Sequence, residues 1–168
     1  EEEDYILKSP MRRIHKIKTK QPVKEIISDE AIEQLRDHCA CARDLAMIDL
    51  LYSTGMRVGE LVNLNIADVN FEARECVVFG KGDKERRLQI GNPSVISILN
   101  KYEVDFHSEI MKCNHFFANQ SGRSLTDQTV RRMINKYTAL AAIDRHITPH
   151  MFRHTFATSL LEADVDIR

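Results

Sequence analysis

Nowhere in its 168 residues does this chain hold an apolar run near the roughly 20 residues that a membrane-spanning helix requires, which excludes such a span within them. It opens on Glu1-Glu2-Glu3-Asp4, the opposite of a signal peptide's basic flank, so a cytoplasmic protein is expected. Cysteine is sparse. The cluster His38-Cys39-Ala40-Cys41 has one residue between its thiols, which is not the usual zinc spacing, while Cys76 and Cys113 stand alone. Neither a metal site nor a disulfide framework is expected, only reduced cysteines serving as small apolar residues. No nucleotide loop is present: Gly80-Lys81-Gly82 lacks the upstream glycine spacing and the following Ser or Thr of a Walker motif. With no paired-carboxylate metal site, internal repeat or low-complexity tract either, the chain is expected to work without a cofactor.

Net charge is also nearly lacking, at −1, but the charges are unevenly placed. Lys8, Arg12, Arg13, Lys16, Lys18, Lys20 and Lys24 fall between Tyr5 and Lys24 with no acid among them, whereas residues 25–168 hold 17 Lys and Arg against 21 Asp and Glu. Residues 1–24, which include Pro10 and Pro22, read as a basic linker or the remnant of a preceding DNA-binding domain. Two readings of this arm stand side by side: Arg12, Arg13, Lys16, Lys18 and Lys20 lie along DNA phosphates, or they only keep a linker solvated. Residues 25–168 are long enough for one domain with a real core.

Within that domain Ser28 caps a helix that should end near Cys39, its first turn carrying Asp29 and Glu30. The run Leu45 to Tyr52, broken only by Asp49, describes a helix buried on nearly all sides and stopped by Gly55. Arg57 then sits at a tight junction before a short helix through Leu61 to Leu64. Glu75 to Phe79 and Glu85 to Ile90 are short β runs joined by Gly80-Lys81-Gly82-Asp83-Lys84, a hairpin with Lys81 at its tip. Asn92-Pro93 opens a helix to about Tyr102, and Thr126 caps another from Asp127 to about Ala142. Thr148 with Pro149 starts a last helix, on which Phe152, Phe156 and Leu160 form the expected buried seam, with His150 and Arg153 beside it. The expected fold is α+β: mainly helical, with a small antiparallel sheet built around the hairpin.

Transfer of a DNA phosphodiester to an enzyme nucleophile passes through a five-coordinate phosphorus whose non-bridging oxygens gain charge, and two guanidinium forks match those oxygens. The departing 5′ oxygen needs a proton, and the attacking hydroxyl must lose one. Taken one at a time, the candidate residues have plainer readings. Arg57 and Glu60, three residues apart, would make a surface pair worth about 0–1 kcal/mol. Lys81 could be a solvated turn residue, and Arg153 could lay its stem on the seam with its head in water.

As a set, Thr54-Gly55-Met56-Arg57-Val58-Gly59-Glu60-Leu61, the lysine hairpin and Thr148-Pro149-His150-Met151-Phe152-Arg153-His154 resemble the catalytic domain of the tyrosine recombinases, the phage integrase family. The resemblance covers most of the chain. It implies that Arg57 and Arg153 hold the scissile phosphate, that Lys81 protonates the leaving 5′ oxygen with Lys84 as rival, that His150 assists proton transfer at the nucleophile, and that Glu60 supports Arg57. It further implies double-stranded DNA as partner, cleavage through a 3′-phosphotyrosyl bond without metal or ATP, and a homotetramer on DNA. Lys84 would also touch DNA. The family pattern continues into a Leu-Gly-His element and the attacking tyrosine, and neither follows His150 here. Tyr5, Tyr52, Tyr102 and Tyr137 all precede it in other contexts. The expectation is therefore a catalytic domain truncated at its C-terminus, monomeric and inactive as given, from a recombinase of a mobile element or prophage. A non-cleaving occupant of recombination sites and a type IB topoisomerase-like relaxer are the alternatives.

Overall fold

The computed structural model describes residues 26–80 and 84–163. Seven helices and three strands follow in the order α1 (Asp29–Asp37), α2 (Ala42–Thr54), α3 (Val58–Val62), β1 (Val69–Asn70), β2 (Glu75–Phe79), β3 (Glu85–Gln89), α4 (Pro93–Asp105), α5 (His107–Cys113), α6 (Asp127–Leu140) and α7 (Pro149–Glu162). A 3-10 turn, Ile66–Asp68, leads into β1. The fold is the mainly helical α+β domain with a small antiparallel sheet that the sequence leads one to expect.

α2 is the central rod, packed by α1, α4 and α7. Ala46, Met47, Ile48, Leu50 and Leu51 are all at most 1% exposed, so its apolar run is buried on several sides at once. The interruption at Asp49 is also buried and is met by Arg36 from α1, Nε to Oδ1 at 2.9 Å. Desolvation outweighs that partner and raises the Asp49 pKa. Tyr137 of α6 ties the same rod to its own helix: its hydroxyl donates to buried Asp44 at 2.7 Å and accepts from the Ala40 amide at 3.1 Å. Behind α4, Tyr102 stacks on Phe117 with centroids 5.2 Å apart, while Phe116 and Phe117 meet edge to face at 5.1 Å. Its hydroxyl donates to the Phe116 carbonyl and accepts from the Ala118 amide, which holds that extended segment against the helix.

Helix starts follow their caps. Ser28 accepts from the Ala31 amide, Asn92 from Ser94 and Thr126 from Thr129, and Pro149 opens α7. The sheet order is β1-β2-β3, antiparallel throughout, with Cys76 opposite Leu88 and Val78 opposite Arg86. Two elements escape a reading of the sequence. β1 is two residues long, too short to show alternation, and α5 buries Ile110 but no other residue, so it has no apolar period.

α7 corrects the expected seam. Phe152 is fully buried, but Phe156 and Leu160 are only half-buried, and Thr155 is the next buried residue. The helix meets the core over its first turns: Thr155 Oγ1 accepts the Ile27 amide at 2.9 Å, and Phe156 lies over Gly55. That glycine ends α2 in the left-handed region, at φ 59°, with its amide on the Leu51 carbonyl at 3.0 Å. A Cβ added there would stand 2.4 Å from Phe156 Cδ1.

Gly55→Ala should therefore lower unfolding stability by about 1–2 kcal/mol from backbone conformation alone, and by more from the collision with Phe156. In urea titrations, adding Phe156→Ala should recover only the second part; a Gly55→Ala chain as stable as its parent would contradict this account.

Candidate active site

The Gly55 turn reverses the chain so that Arg57 becomes the N-cap of α3. Three residues on, Glu60 bends its carboxylate back: Oε2 accepts the Arg57 backbone amide at 2.7 Å and Oε1 accepts Arg57 Nη1 at 2.9 Å. An acid in a helix's first turn also suits the helix dipole. The Glu60 side chain is only 5% exposed, whereas that of Arg57 is 58% exposed. This is not the surface pair that spacing alone suggests. A buried carboxylate anchors a guanidinium whose outer face stays open.

A second cation completes the anchor. Arg86 of β3 places Nη2 2.6 Å from Glu60 Oε2. Its Nε is buried with no acceptor among the described residues, an arrangement that costs about 1–3 kcal/mol. Arg86 was not among the residues marked from the sequence. The signal existed in the alternation of β3, where Arg86 falls in phase with Leu88 and Ile90 and so faces inward.

α7 delivers the other arginine. His150 lies exposed on the first turn, and Arg153, one turn later, donates Nη1 to the Gly55 carbonyl at 2.7 Å. The carbonyl of the residue that ends α2 thus fixes the Arg153 guanidinium close to the loop that carries Arg57. Burial lowers the Arg153 pKa, and the like charges of Arg57 and Arg86 lower it further, against the opposing pull of Glu60. A site with this excess of positive charge favours an anion.

Arg57, His150 and Arg153 line one cavity of about 280 Å³ with Arg131 of α6 as a fourth member. Arg131 was also unmarked, since nothing in the sequence of α6 tells which solvated residue faces α7. Arg57 in addition edges a groove of about 540 Å³ formed with Glu60, Val78, Phe79, Gly80 and Asp127, so the root of the β2-β3 hairpin opens beside the same guanidinium.

Lys81 lies outside the described residues, as do Arg12, Arg13, Lys16, Lys18 and Lys20. Lys84 is exposed just before β3, its carbonyl accepting the Gly80 amide at 2.9 Å. Tyr5 is likewise outside. Tyr52, Tyr102 and Tyr137 commit their hydroxyls to Asp29, Phe116 and Asp44, and burial pushes each phenol up to about 12. Among the described residues no group of three or more His, Cys, Asp or Glu could hold a metal ion, and no helix is long and apolar enough to cross a membrane.

Fold and site together describe an α+β domain with two arginines from different helices turned to one anion-sized space. The phage integrase family matches residues 19–168, and the chain belongs to that family. A tyrosine recombinase of Agathobacter rectalis is 65% identical over 126 residues, covering 75% of this chain and 41% of the relative. Tyrosine recombinase XerD of Staphylococcus haemolyticus is 37% identical over 174 residues, covering 99% of this chain and 59% of the relative. Among solved structures, the XerA recombinase superposes with a TM-score of 0.78 at 31% identity, covering 89% of this chain and 54% of that one. The XerH site-specific recombinase bound to palindromic difH substrate, in a post-cleavage complex, gives 0.71 at 26% identity, covering 84% and 43%. The chain thus spans about half the length of the relatives it matches.

Glu60→Gln keeps the size of the anchor but turns an NH2 group toward one of its two guanidiniums. We expect a loss of about 1–3 kcal/mol in urea unfolding; unchanged stability would show that the carboxylate is not what holds this corner.

Proposed function

We propose that the protein containing this domain is a site-specific DNA recombinase of the tyrosine type, acting in the cytoplasm on double-stranded DNA as a homotetramer. The observation that carries the reading is the convergence of Arg57 and Arg153 on one cavity, the first anchored by buried Glu60 and the second by the Gly55 carbonyl. Two forks fixed before substrate arrives stabilise the charge that develops on the non-bridging oxygens without reorganising.

The reaction assigned to them proceeds as follows. A tyrosine hydroxyl, from a segment outside these 168 residues, attacks phosphorus and gives up its proton with help from His150. The bond from phosphorus to the 5′ oxygen breaks, and Lys81 protonates that oxygen. A 3′-phosphotyrosine and a free 5′ hydroxyl result. Attack by the 5′ hydroxyl of a partner strand reverses the sequence, so the number of phosphodiesters is conserved and no ATP is consumed. The basic arm, Arg12, Arg13, Lys16, Lys18 and Lys20, would follow the phosphates flanking the site, and Lys84 would do the same from the hairpin.

In the full-length protein, Arg57→Ala and Arg153→Ala should each reduce SDS-resistant protein–DNA adduct on a nicked duplex by at least about 100-fold while leaving the folded far-UV spectrum intact. Near-parental adduct formation by either variant would overturn its role. Lys81→Ala should be slow on ordinary DNA but recover when the leaving 5′ oxygen is replaced by sulfur, which departs without a proton. Lys84→Ala should cleave ordinary DNA at close to the parental rate, and the reverse pattern would transfer the acid's role to Lys84.

A further inference from the structure

The Glu60 carboxylate poses an electrostatic problem for the clamp. Paired with Arg57 alone it would make a neutral couple, leaving Arg153 as the main cation facing a phosphate. Arg86 changes that balance. Its Nη2 shares Glu60 Oε2 with the Arg57 amide, so two guanidiniums surround one carboxylate and the trio keeps a charge of +1.

Arg86 is an odd choice for the sheet itself. It stands opposite buried Val78 and in phase with half-buried Leu88, on the face that β2 lines with Cys76 and Val78. An aliphatic side chain would fill such a place without leaving a buried Nε unmatched. The position makes sense through Glu60. With Arg86 bound, the carboxylate is fixed from both sides, Oε1 to Arg57 Nη1 and Oε2 to Arg86 Nη2, and cannot swing to chelate Arg57 with both oxygens.

We propose that Arg86 is a positioning residue for strand cleavage: it orients Glu60 and offsets its charge, so that Arg57 meets the phosphate as a cation with a free outer face. Arg86 acts through Glu60 and does not touch the reacting atoms. The assignment rests on the strand-cleavage reading above.

The test uses the full-length protein in single-turnover cleavage of two nicked duplexes, one with an ordinary scissile phosphate and one with a methylphosphonate, where a neutral methyl replaces a non-bridging oxygen. On phosphate, Arg86→Met should slow cleavage by about 10- to 100-fold, the loss usual when the partner of a site-forming group is removed. On methylphosphonate, which is neutral in the ground state and develops charge on only one non-bridging oxygen, Arg86→Met should lose clearly less than on phosphate. Arg86→Lys should recover most of the rate on phosphate. Parental speed of Arg86→Met on phosphate, an equal loss on both duplexes, or a lysine variant as slow as methionine would each overturn the assignment. Arg86→Gln provides the same comparison if the methionine variant does not fold. Arg57→Ala separates the two levels: normal cleavage by it defeats the strand-cleavage reading itself, whereas its failure beside a normal Arg86→Met defeats only the role of Arg86.

Discussion

The buried carboxylate of Glu60 gathers the backbone amide and guanidinium of Arg57 together with the guanidinium of Arg86, joining the start of α3 to the inner face of the sheet. A carboxylate taken out of water demands partners, and breaking such a set by removing one member costs about 3–5 kcal/mol in typical proteins. That demand makes the corner rigid. Because one of the three donors comes from Arg86, 26 residues beyond Glu60 in sequence, the hairpin cannot drift from the α2-α3 turn without exposing the charge. Stability and site geometry are thus supplied by the same atoms.

The turn at Gly55 is the second fixed point. It ends the central rod, approaches Phe156 too closely to admit a Cβ, and offers its carbonyl to Arg153. The two arginines therefore share one short stretch of backbone, Arg57 by chain connection and Arg153 by hydrogen bond. Packing of α7 on α2 sets their spacing, and a phosphate entering the cavity would meet both without a large rearrangement. His150, exposed one turn earlier on α7, and Arg131 from α6 complete the wall.

Much of this was readable in the sequence because local rules governed it. Ser28, Asn92, Thr126 and Pro149 start helices where capping chemistry puts them, Gly55 stops α2, and the glycine-bearing hairpin joins β2 to β3. Arg57, Glu60, His150 and Arg153 were marked as a set because their motifs resemble the family pattern; Arg57, His150 and Arg153 line one cavity, and Glu60 is bonded to Arg57. What could not be read depended on distant packing. The burial of Glu60 belongs to the packing of α3 on α2 and α6 and to its pairing with Arg86, which a spacing of three residues does not reveal. Arg86 could have been suspected from its phase with Leu88 and Ile90, yet it looks like one of several solvated charges in Glu85-Arg86-Arg87. The last helix leaves the core sooner than its repeat of Phe152, Phe156 and Leu160 implies, because Gly55 sits beneath Phe156 and nothing among the described residues fully covers Leu160.

The central claim is that Arg57 and Arg153 grip one phosphate. Its most direct measurement is a structure of the full-length protein on a duplex nicked at the cleavage position, with vanadate bridging the gap as a five-coordinate mimic. The account predicts both guanidiniums at about 2.7–2.9 Å from the non-bridging vanadate oxygens, with Glu60 still seated behind Arg57. A vanadate bound elsewhere, or held by one arginine while the other points to solvent, would contradict it.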